Sequence, residues 1–309
     1  MRAEGILHIE TCLVDSRFPS GGKVNDVTGR SPTVRRRRLG VELRRLREVK
    51  GLTIEQVAEA LECSTSKISR VETARVTATP RDVRDMLEIY GVSGHERDSL
   101  MQIAREARQK GWWQSKFGDL PSATLAGLET EARHIRQYSA LLIPGLLQTM
   151  DYARAVLRSI RLDLKPQPQE IERRVELRME RQRLLEQPDP PEFWVVIDEA
   201  ALRRHVGGRE VMIAQIEHLV ETTAWPNVTL QVLPFRAGAH AGMDGEFSIL
   251  TFPHTVDPDV VYIENTTSDL YVEDSGAIRR YALLFDHLRA AAPDPVESVE
   301  MMKSLIKEL

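Results

Sequence analysis

The chain has 309 residues, of which 42% are hydrophobic and 28% charged, a composition typical of folded globular proteins with one or two domains. It excludes collagen-like, disulfide-rich and wholly disordered chains. No apolar stretch approaches the roughly 20 residues of a membrane span, and no signal peptide is evident, so we expect a cytoplasmic protein without a membrane partner. The two cysteines, Cys12 and Cys63, are far apart in the sequence and predict neither a disulfide nor a metal site.

The net charge of −4 conceals an uneven distribution along the chain. Between Arg30 and Tyr90 there are 14 basic and 9 acidic residues, whereas residues 91–309 hold 25 basic and 33 acidic ones. The run Arg35-Arg36-Arg37-Arg38 stands out, and four more basic residues follow it closely: Arg44, Arg45, Arg47 and Lys50. We interpret the run together with these four residues as a phosphate-facing surface, with Arg36 and Arg38 as contacts. The alternative is an ordinary solvated helix face.

The N-terminal region predicts a leader followed by helices. Residues 1–32 show no sustained periodicity and are predicted to be flexible. Helical spacing of apolar residues begins at Val34 and predicts a first helix that Gly51 ends. A fourth helix is predicted to begin at Thr79-Pro80, and a fifth to run from about His95 to Lys110.

Between the first and fourth helices, Thr53 to Glu72 predicts a helix-turn-helix. Thr53 and Gln56 form a capping box for one short helix, and Ser64 caps the next, which runs from Thr65 to about Glu72. A second helix held by Ile68 and Val71 could enter a DNA major groove with its other face. We therefore predict a set of DNA contacts made by Thr53, Ser64, Thr65, Ser66, Lys67, Ser69 and Arg70. The alternative is a generic helical hairpin with a polar outer face.

Residues 94–118 predict a connector helix and an aromatic junction at Trp112-Trp113, and residues 119–309 predict an α+β domain. Up to the proline cluster at 188–191 every pattern is helical, including one stripe formed by Leu125, Leu128, Ala132 and Ile135. Beyond it, period-two and continuous apolar runs predict strands at 193–197, 228–232, 247–252, 260–263 and 270–272. The predicted fold class is therefore mainly α: an all-α domain of about five helices at 33–93, joined to a small β-sheet covered by helices.

Two groups of motifs resemble known families. Leu52 to Ala58, followed by Cys63 to Glu72, resembles the XRE helix-turn-helix of the lambda and 434 repressors. Gly111-Trp112-Trp113, a helix at Glu129 to Tyr138, Ile143 to Thr149 and Tyr262-Ile263-Glu264 resemble the C-terminal domain of actinobacterial, antitoxin-like regulators. The resemblance implies a transcription regulator encoded beside a very small partner protein, with which it forms a toxin–antitoxin-like pair or a developmental switch. A homodimer is expected because one such module buries little surface on DNA.

One position departs from the repressor pattern. The second residue of the first motif helix, often a phosphate-binding Gln in phage repressors, is Ile54. The sequence therefore leaves that contact to the Arg35–Arg38 run. Thr65 and Ser66 also replace the longer amides of some phage repressors, so no operator sequence can be inferred.

Catalytic readings find little support in the sequence. The histidines are scattered, and there is no nucleophile elbow and no phosphate-binding glycine loop. Asp198-Glu199 is better explained as a helix start than as a carboxylate pair, and the loop Gly238–Gly245 as a connection between strands. We expect no enzyme, no catalytic residue, no cofactor and no metal. The predicted partners are a double-stranded DNA operator and a second copy of the chain; for the C-terminal domain, a small protein partner and a small-molecule effector remain alternatives.

Overall fold

The structure is a computed structural model that describes residues 32–108, 111–120, 122–159, 167–253, 259–265 and 269–309. The leader predicted at residues 1–32 lies almost wholly outside the described residues. Within these ranges, no helix is long and apolar enough to cross a membrane. The described residues form thirteen α-helices and six β-strands.

Five helices form the N-terminal part: α1 (Pro32–Val49), α2 (Ile54–Ala60), α3 (Thr65–Glu72), α4 (Pro80–Tyr90) and α5 (Gly94–Glu106). The predicted starts of α2, α3 and α4 are confirmed, because Thr53, Ser64 and Thr79 each accept a hydrogen bond from the amide three residues further on. The apolar sides of all five helices meet in one core. This part of the chain is therefore all helical, as predicted.

The remaining helices and strands build an α+β region that covers its sheet on both faces. They are α6 (Trp112–Phe117), α7 (Ala123–Glu131), β1 (His134–Ser139), α8 (Met150–Ser159), α9 (Pro168–Gln182), β2 (Glu192–Asp198), α10 (Glu199–Arg203), α11 (Arg209–Thr222), β3 (Val228–Leu233), β4 (Phe247–Thr251), β5 (Val260–Glu264), β6 (Asp269–Val272), α12 (Ser275–Ala291) and α13 (Pro295–Glu308). The predicted fold class is confirmed.

The six strands form one mixed sheet in the order β3-β2-β1-β4-β5-β6. Strands β1, β2 and β3 are parallel, with Ile135 opposite Phe193 and Phe193 opposite Val228, whereas β4, β5 and β6 continue the sheet antiparallel. Residues from α8, α11 and α13 bury one face of the sheet, and α12 packs on the other. The five strands predicted from the sequence are all present.

Strand β1 corrects two expectations. The stripe from Leu125 to Ile135 and the helix expected at Glu129 to Tyr138 are wrong, because α7 ends at Glu131 and the chain becomes a central strand at His134. Ile135 is spaced from Leu128 as on a helix, yet it lies in β1, paired with both β2 and β4. The six-residue strand His-Ile-Arg-Gln-Tyr-Ser has no clean apolar–polar alternation and is too short for periodicity alone to separate it from a helix end.

Helix α1 belongs to both parts of the molecule. Leu39, Leu43 and Leu46 pack in the N-terminal core, while Val34, one turn earlier, is buried in the core beneath the sheet. Between these parts lies a separate cluster in which Trp113 packs with Phe117 and with Leu177 of α9. Trp113 is thus a core residue of the predicted aromatic junction.

Candidate nucleic-acid interface

The first helix of the motif is fixed by the predicted capping box. The Gln56 amide donates to Thr53 Oγ1 over 3.3 Å, and the Thr53 amide donates to Gln56 Oε1 over 2.8 Å. Val57 and Ala58 are buried beneath this turn. The Thr53 hydroxyl also hydrogen-bonds to the Glu55 carboxylate, which helps to lower the pKa of Glu55. A phosphate at Thr53 must therefore compete with that carboxylate for the O–H.

The second helix presents the predicted polar face. Ser64 Oγ accepts from the Lys67 amide over 3.2 Å, and Ile68 and Val71 are buried on the underside of α3. Its other side carries the predicted contact residues: Thr65, Ser66, Lys67 and Arg70 are exposed, and Ser69 is partly buried. The structure thus brings together on one accessible surface the side chains that the sequence assigned to DNA reading.

A buried ion pair anchors this helix to α1. Arg47 Nε donates to Glu72 Oε1 over 2.7 Å and Arg47 Nη2 to Glu72 Oε2 over 3.0 Å, while Nη1 donates to the Leu52 carbonyl over 2.8 Å. Burial, together with the negative charge of Glu72, raises the pKa of the neighbouring Tyr90. The prediction that Arg47 faces phosphate is wrong, because its guanidinium donates to Glu72 in the last turn of α3.

Gly40 lets α1 approach the same turn closely. A Cβ atom at this position would lie 2.7 Å from the Glu72 carbonyl oxygen and 2.8 Å from that of Val71. Neither Gly40 nor the Arg47–Glu72 pair was singled out from the sequence. Both depend on contacts between helices more than 20 residues apart, which periodicity within one helix does not report.

Lys67 is exposed but engaged. Its Nζ donates to Asp82 Oδ1 of α4 over 2.7 Å, and this hydrogen bond raises the pKa of Lys67. Asp82 also accepts from the Thr79 amide at the start of α4. A phosphate at Lys67 must therefore compete with a carboxylate for the same ammonium group.

The Arg35–Arg38 run does not form the predicted open surface. Arg35 and Arg37 are only 4% and 9% exposed, and Arg36 and Arg38 are partly buried. Arg35 pairs with Glu106 of α5, and Arg37 pairs with Glu273, between β6 and α12. In this arrangement the run does not replace the phosphate contact that Ile54 lacks. The physical reason is that the first two turns of α1 pack against the sheet region.

The C-terminal candidates Asp198 and His240 lie in one hydrogen-bonded group with Tyr138. Asp198 caps α10, with Oδ1 accepting from the Ala200 amide over 2.8 Å, as expected of a helix start. Its Oδ2 accepts from the Tyr138 hydroxyl over 3.3 Å and lies 3.5 Å from His240 Nε2. The Gly242 amide donates to His240 Nδ1 over 3.2 Å. These bonds fasten the 238–245 loop to the ends of β1 and β2.

Two capped helices with an exposed second helix define a helix-turn-helix domain, and a family model described as a helix-turn-helix domain matches residues 38–100. Such a domain indicates a DNA-binding regulator. A second model, described as a domain of unknown function (DUF5753), matches residues 122–304, and the chain belongs to this family. Neither the curated proteins nor the solved structures yielded a match.

Proposed function

We propose that the protein is a cytoplasmic, sequence-specific transcription regulator that binds its operator as a homodimer through α3. The observation that carries the proposal is the division of α3 into a buried apolar side and an exposed side rich in hydrogen-bonding groups. The width of the DNA major groove admits one α-helix. A single domain of this size buries little surface on DNA, so two copies reading half-sites about 34 Å apart are expected.

The side chains on α3 divide by reach and chemistry. Arg70 has the planar fork that binds O6 and N7 of guanine, while Thr65, Ser66 and Ser69 are short enough for bases or phosphates. Lys67 contacts a phosphate once its ammonium group leaves Asp82. The hydroxyls of Thr53 and Ser64 donate to the DNA backbone at the starts of α2 and α3. Arg36 and Arg38 make no phosphate contact in the arrangement shown here.

An arginine substitution tests the reading face. Arg70→Ala should weaken binding to the preferred operator by roughly 1 to 3 kcal/mol and relax one base position, because a bidentate contact is removed. Selection from a random duplex pool supplies the operator, and anisotropy titrations measure affinity. Arg279→Ala removes another exposed guanidinium, from α12, and should leave both unchanged. An Arg70→Ala protein with unaltered affinity and selected sequence would contradict the assignment.

The C-terminal domain is proposed to have a regulatory role and no catalytic one. The resemblance to antitoxin-like regulators supports a small protein partner that the C-terminal domain sequesters. DNA binding would then serve only autoregulation. Purification of the tagged protein from its native host should yield a small protein at equal stoichiometry. If none is bound and a metabolite instead raises the melting temperature, the domain senses a small molecule; saturation at about 100 times the dissociation constant would add roughly 2.7 kcal/mol.

A further inference from the structure

The first turns of α1 place positive charge inside the molecule, where it is costly. Burial lowers the pKa of Arg37 to about 10 and also lowers the pKa of Arg36. Among the described contacts, the Nε atoms of Arg35, Arg36 and Arg37 have no hydrogen-bond partner. A buried guanidinium with an unsatisfied donor keeps part of its desolvation cost, so this interface opens more easily than an apolar one of equal area.

The contacts that hold this charge come largely from the C-terminal region. The Arg37 guanidinium lies 5.7 Å from the centre of the Tyr271 ring and pairs with Glu273. Val34 adds one apolar anchor in the core beneath the sheet. Arg35, in contrast, pairs with Glu106 of α5, on the N-terminal side, over 3.2 Å.

The buried run is close to the DNA-reading helix. A cleft of about 630 Å³ separates α1 from the segment between β6 and α12, and Arg37 and Arg44 line one wall. Thr73 and Ala74, which directly follow α3, line the same cleft, and Tyr271 and Glu273 lie opposite. Removal of the β6–α12 segment would therefore expose Arg37 beside the end of α3, the helix proposed to read DNA.

We propose that the C-terminal domain is an autoinhibitory partner of the helix-turn-helix domain: it holds Arg37 through Glu273 and Tyr271, and detachment releases Arg37 to the phosphates of the same duplex. This inference rests on the proposed function, because it assigns a regulation to the same DNA-binding surface. In the closed state the domain reads DNA through α3 alone. In the open state Arg37 supplies the phosphate contact that Ile54 cannot make.

On release, Arg37 exchanges its carboxylate partner for a phosphate. Four adjacent guanidinium groups repel one another, and in the closed state Arg37 is paired with the Glu273 carboxylate. A duplex offers a phosphate at every nucleotide, and each contact releases a condensed counterion. Opening is therefore favoured by DNA at low salt, and by any partner that competes for the β6–α12 segment.

The test removes the charge of Glu273 and leaves the arginines unchanged. Glu273→Gln removes the charge that pairs with Arg37, and Glu172→Gln is the matched control, since Glu172 is a similarly exposed partner of Arg154 far along the chain. The probe is a 30-bp duplex of mixed sequence, titrated by fluorescence anisotropy at several salt concentrations. Glu273→Gln should tighten binding by about twofold to fivefold, as for loss of a partly exposed pair.

The salt dependence distinguishes release from a general gain in charge. Each arginine that reaches a phosphate steepens the slope of log affinity against log salt by about 0.9. Glu172→Gln should match the wild type in affinity and slope. Adding Arg37→Gln to Glu273→Gln should restore the original slope, and hydrogen exchange at residues 34–38 should be faster in Glu273→Gln alone.

A second release variant protects the test against misfolding. Tyr271→Leu removes the ring beside Arg37 and should produce the same gain and the same steeper slope; thermal melts verify that each variant is folded. A folded Glu273→Gln protein with wild-type affinity and slope, or with weaker binding, overturns the autoinhibition. If the wild type itself binds no duplex at any salt concentration, the proposed function fails instead.

Discussion

Both regions of the molecule contain a buried, bidentate arginine–glutamate pair, and the two pairs serve different ends. Arg47 and Glu72 join α1 to α3, and Arg181 and Glu129 join α9 to α7 with both distances at 2.7 Å. Side-chain exposure is 10% and 3% for the first pair and 8% and 7% for the second. The geometry is the same, so any functional difference comes from the helix that each pair holds.

The difference is in what the anchored helix leaves exposed. Helix α3 is held at its last turn and keeps its polar face from Thr65 to Arg70 accessible. Most residues of α9, in contrast, are buried or partly buried. A pair of this kind is weak support for stability, because desolvation offsets much of the attraction, but it fixes orientation. In the N-terminal domain that orientation is the one in which a reading face projects outward.

The largest loss of stability is expected from a charge placed on the buried side of α3. Ile68→Asp should unfold the N-terminal domain, because Ile68 is 1% exposed and burying a carboxylate costs several kcal/mol, a large share of a domain's ~5 to 15 kcal/mol. Calorimetry should show loss of one transition and survival of the other. Ser66→Asp is the control on the exposed side: its melting should change little, while DNA binding weakens through repulsion. Similar melting for the two variants would refute the division of α3.

The next effect compares the two ion pairs directly. Glu72→Ala and Glu129→Ala should each destabilise their own region by about 3 to 5 kcal/mol, since each leaves a buried guanidinium unpaired. Glu72→Ala should also abolish DNA binding, because α3 loses its anchor to α1. Glu129→Ala should leave the N-terminal melting transition in place. Equal loss of DNA binding in both variants would show that the two regions fold as one unit.

The N-terminal elements were predictable because they are specified locally. Three helix starts are each predicted by a pattern of at most four residues: the capping box of Thr53 and Gln56, the cap at Ser64, and Thr79-Pro80. All three are confirmed. The exposed face of α3 follows from Ile68 and Val71 on its other side. Local chemistry therefore determined both the helices and the surface that they present.

The errors arose where long-range packing decides. Ile135 fits a helical stripe, yet pairing with β2 and β4 draws it into the sheet. The Arg35–Arg38 run reads as solvated, yet Val34 beside it is buried in the distant core. Neither outcome can be obtained from the residues within one turn, because the deciding partners lie about 60 to 240 residues further along the chain, at Phe193, Leu250 and Glu273.

A smaller effect is expected at the crossing of α1 and α3. Gly40→Ala should destabilise the N-terminal domain by about 1 to 2 kcal/mol, because a Cβ 2.7 Å from the Glu72 carbonyl forces the helices apart. The helix propensity of alanine, worth about 1 kcal/mol, offsets part of that strain. DNA binding should weaken as well, since α3 shifts. Gly276→Ala in α12 is the control: its Cβ would meet the Asp274 and Arg279 side chains at 3.1 Å and 3.8 Å rather than a carbonyl of another helix, so the loss of thermal stability should be smaller than for Gly40→Ala.

The smallest effect separates the two roles of Thr53. Thr53→Ala removes the cap of α2 and should cost about 1 kcal/mol of stability, measured by urea unfolding. The same change removes the hydroxyl proposed to donate to a phosphate, so DNA affinity should fall even at temperatures where the variant is fully folded. Thr53→Ser keeps the oxygen and should restore both quantities. If affinity follows stability alone across the three proteins, Thr53 caps α2 and makes no contact with DNA; a loss of affinity in the folded alanine variant places the duplex backbone at the start of α2, beside the face of α3 that carries Arg70.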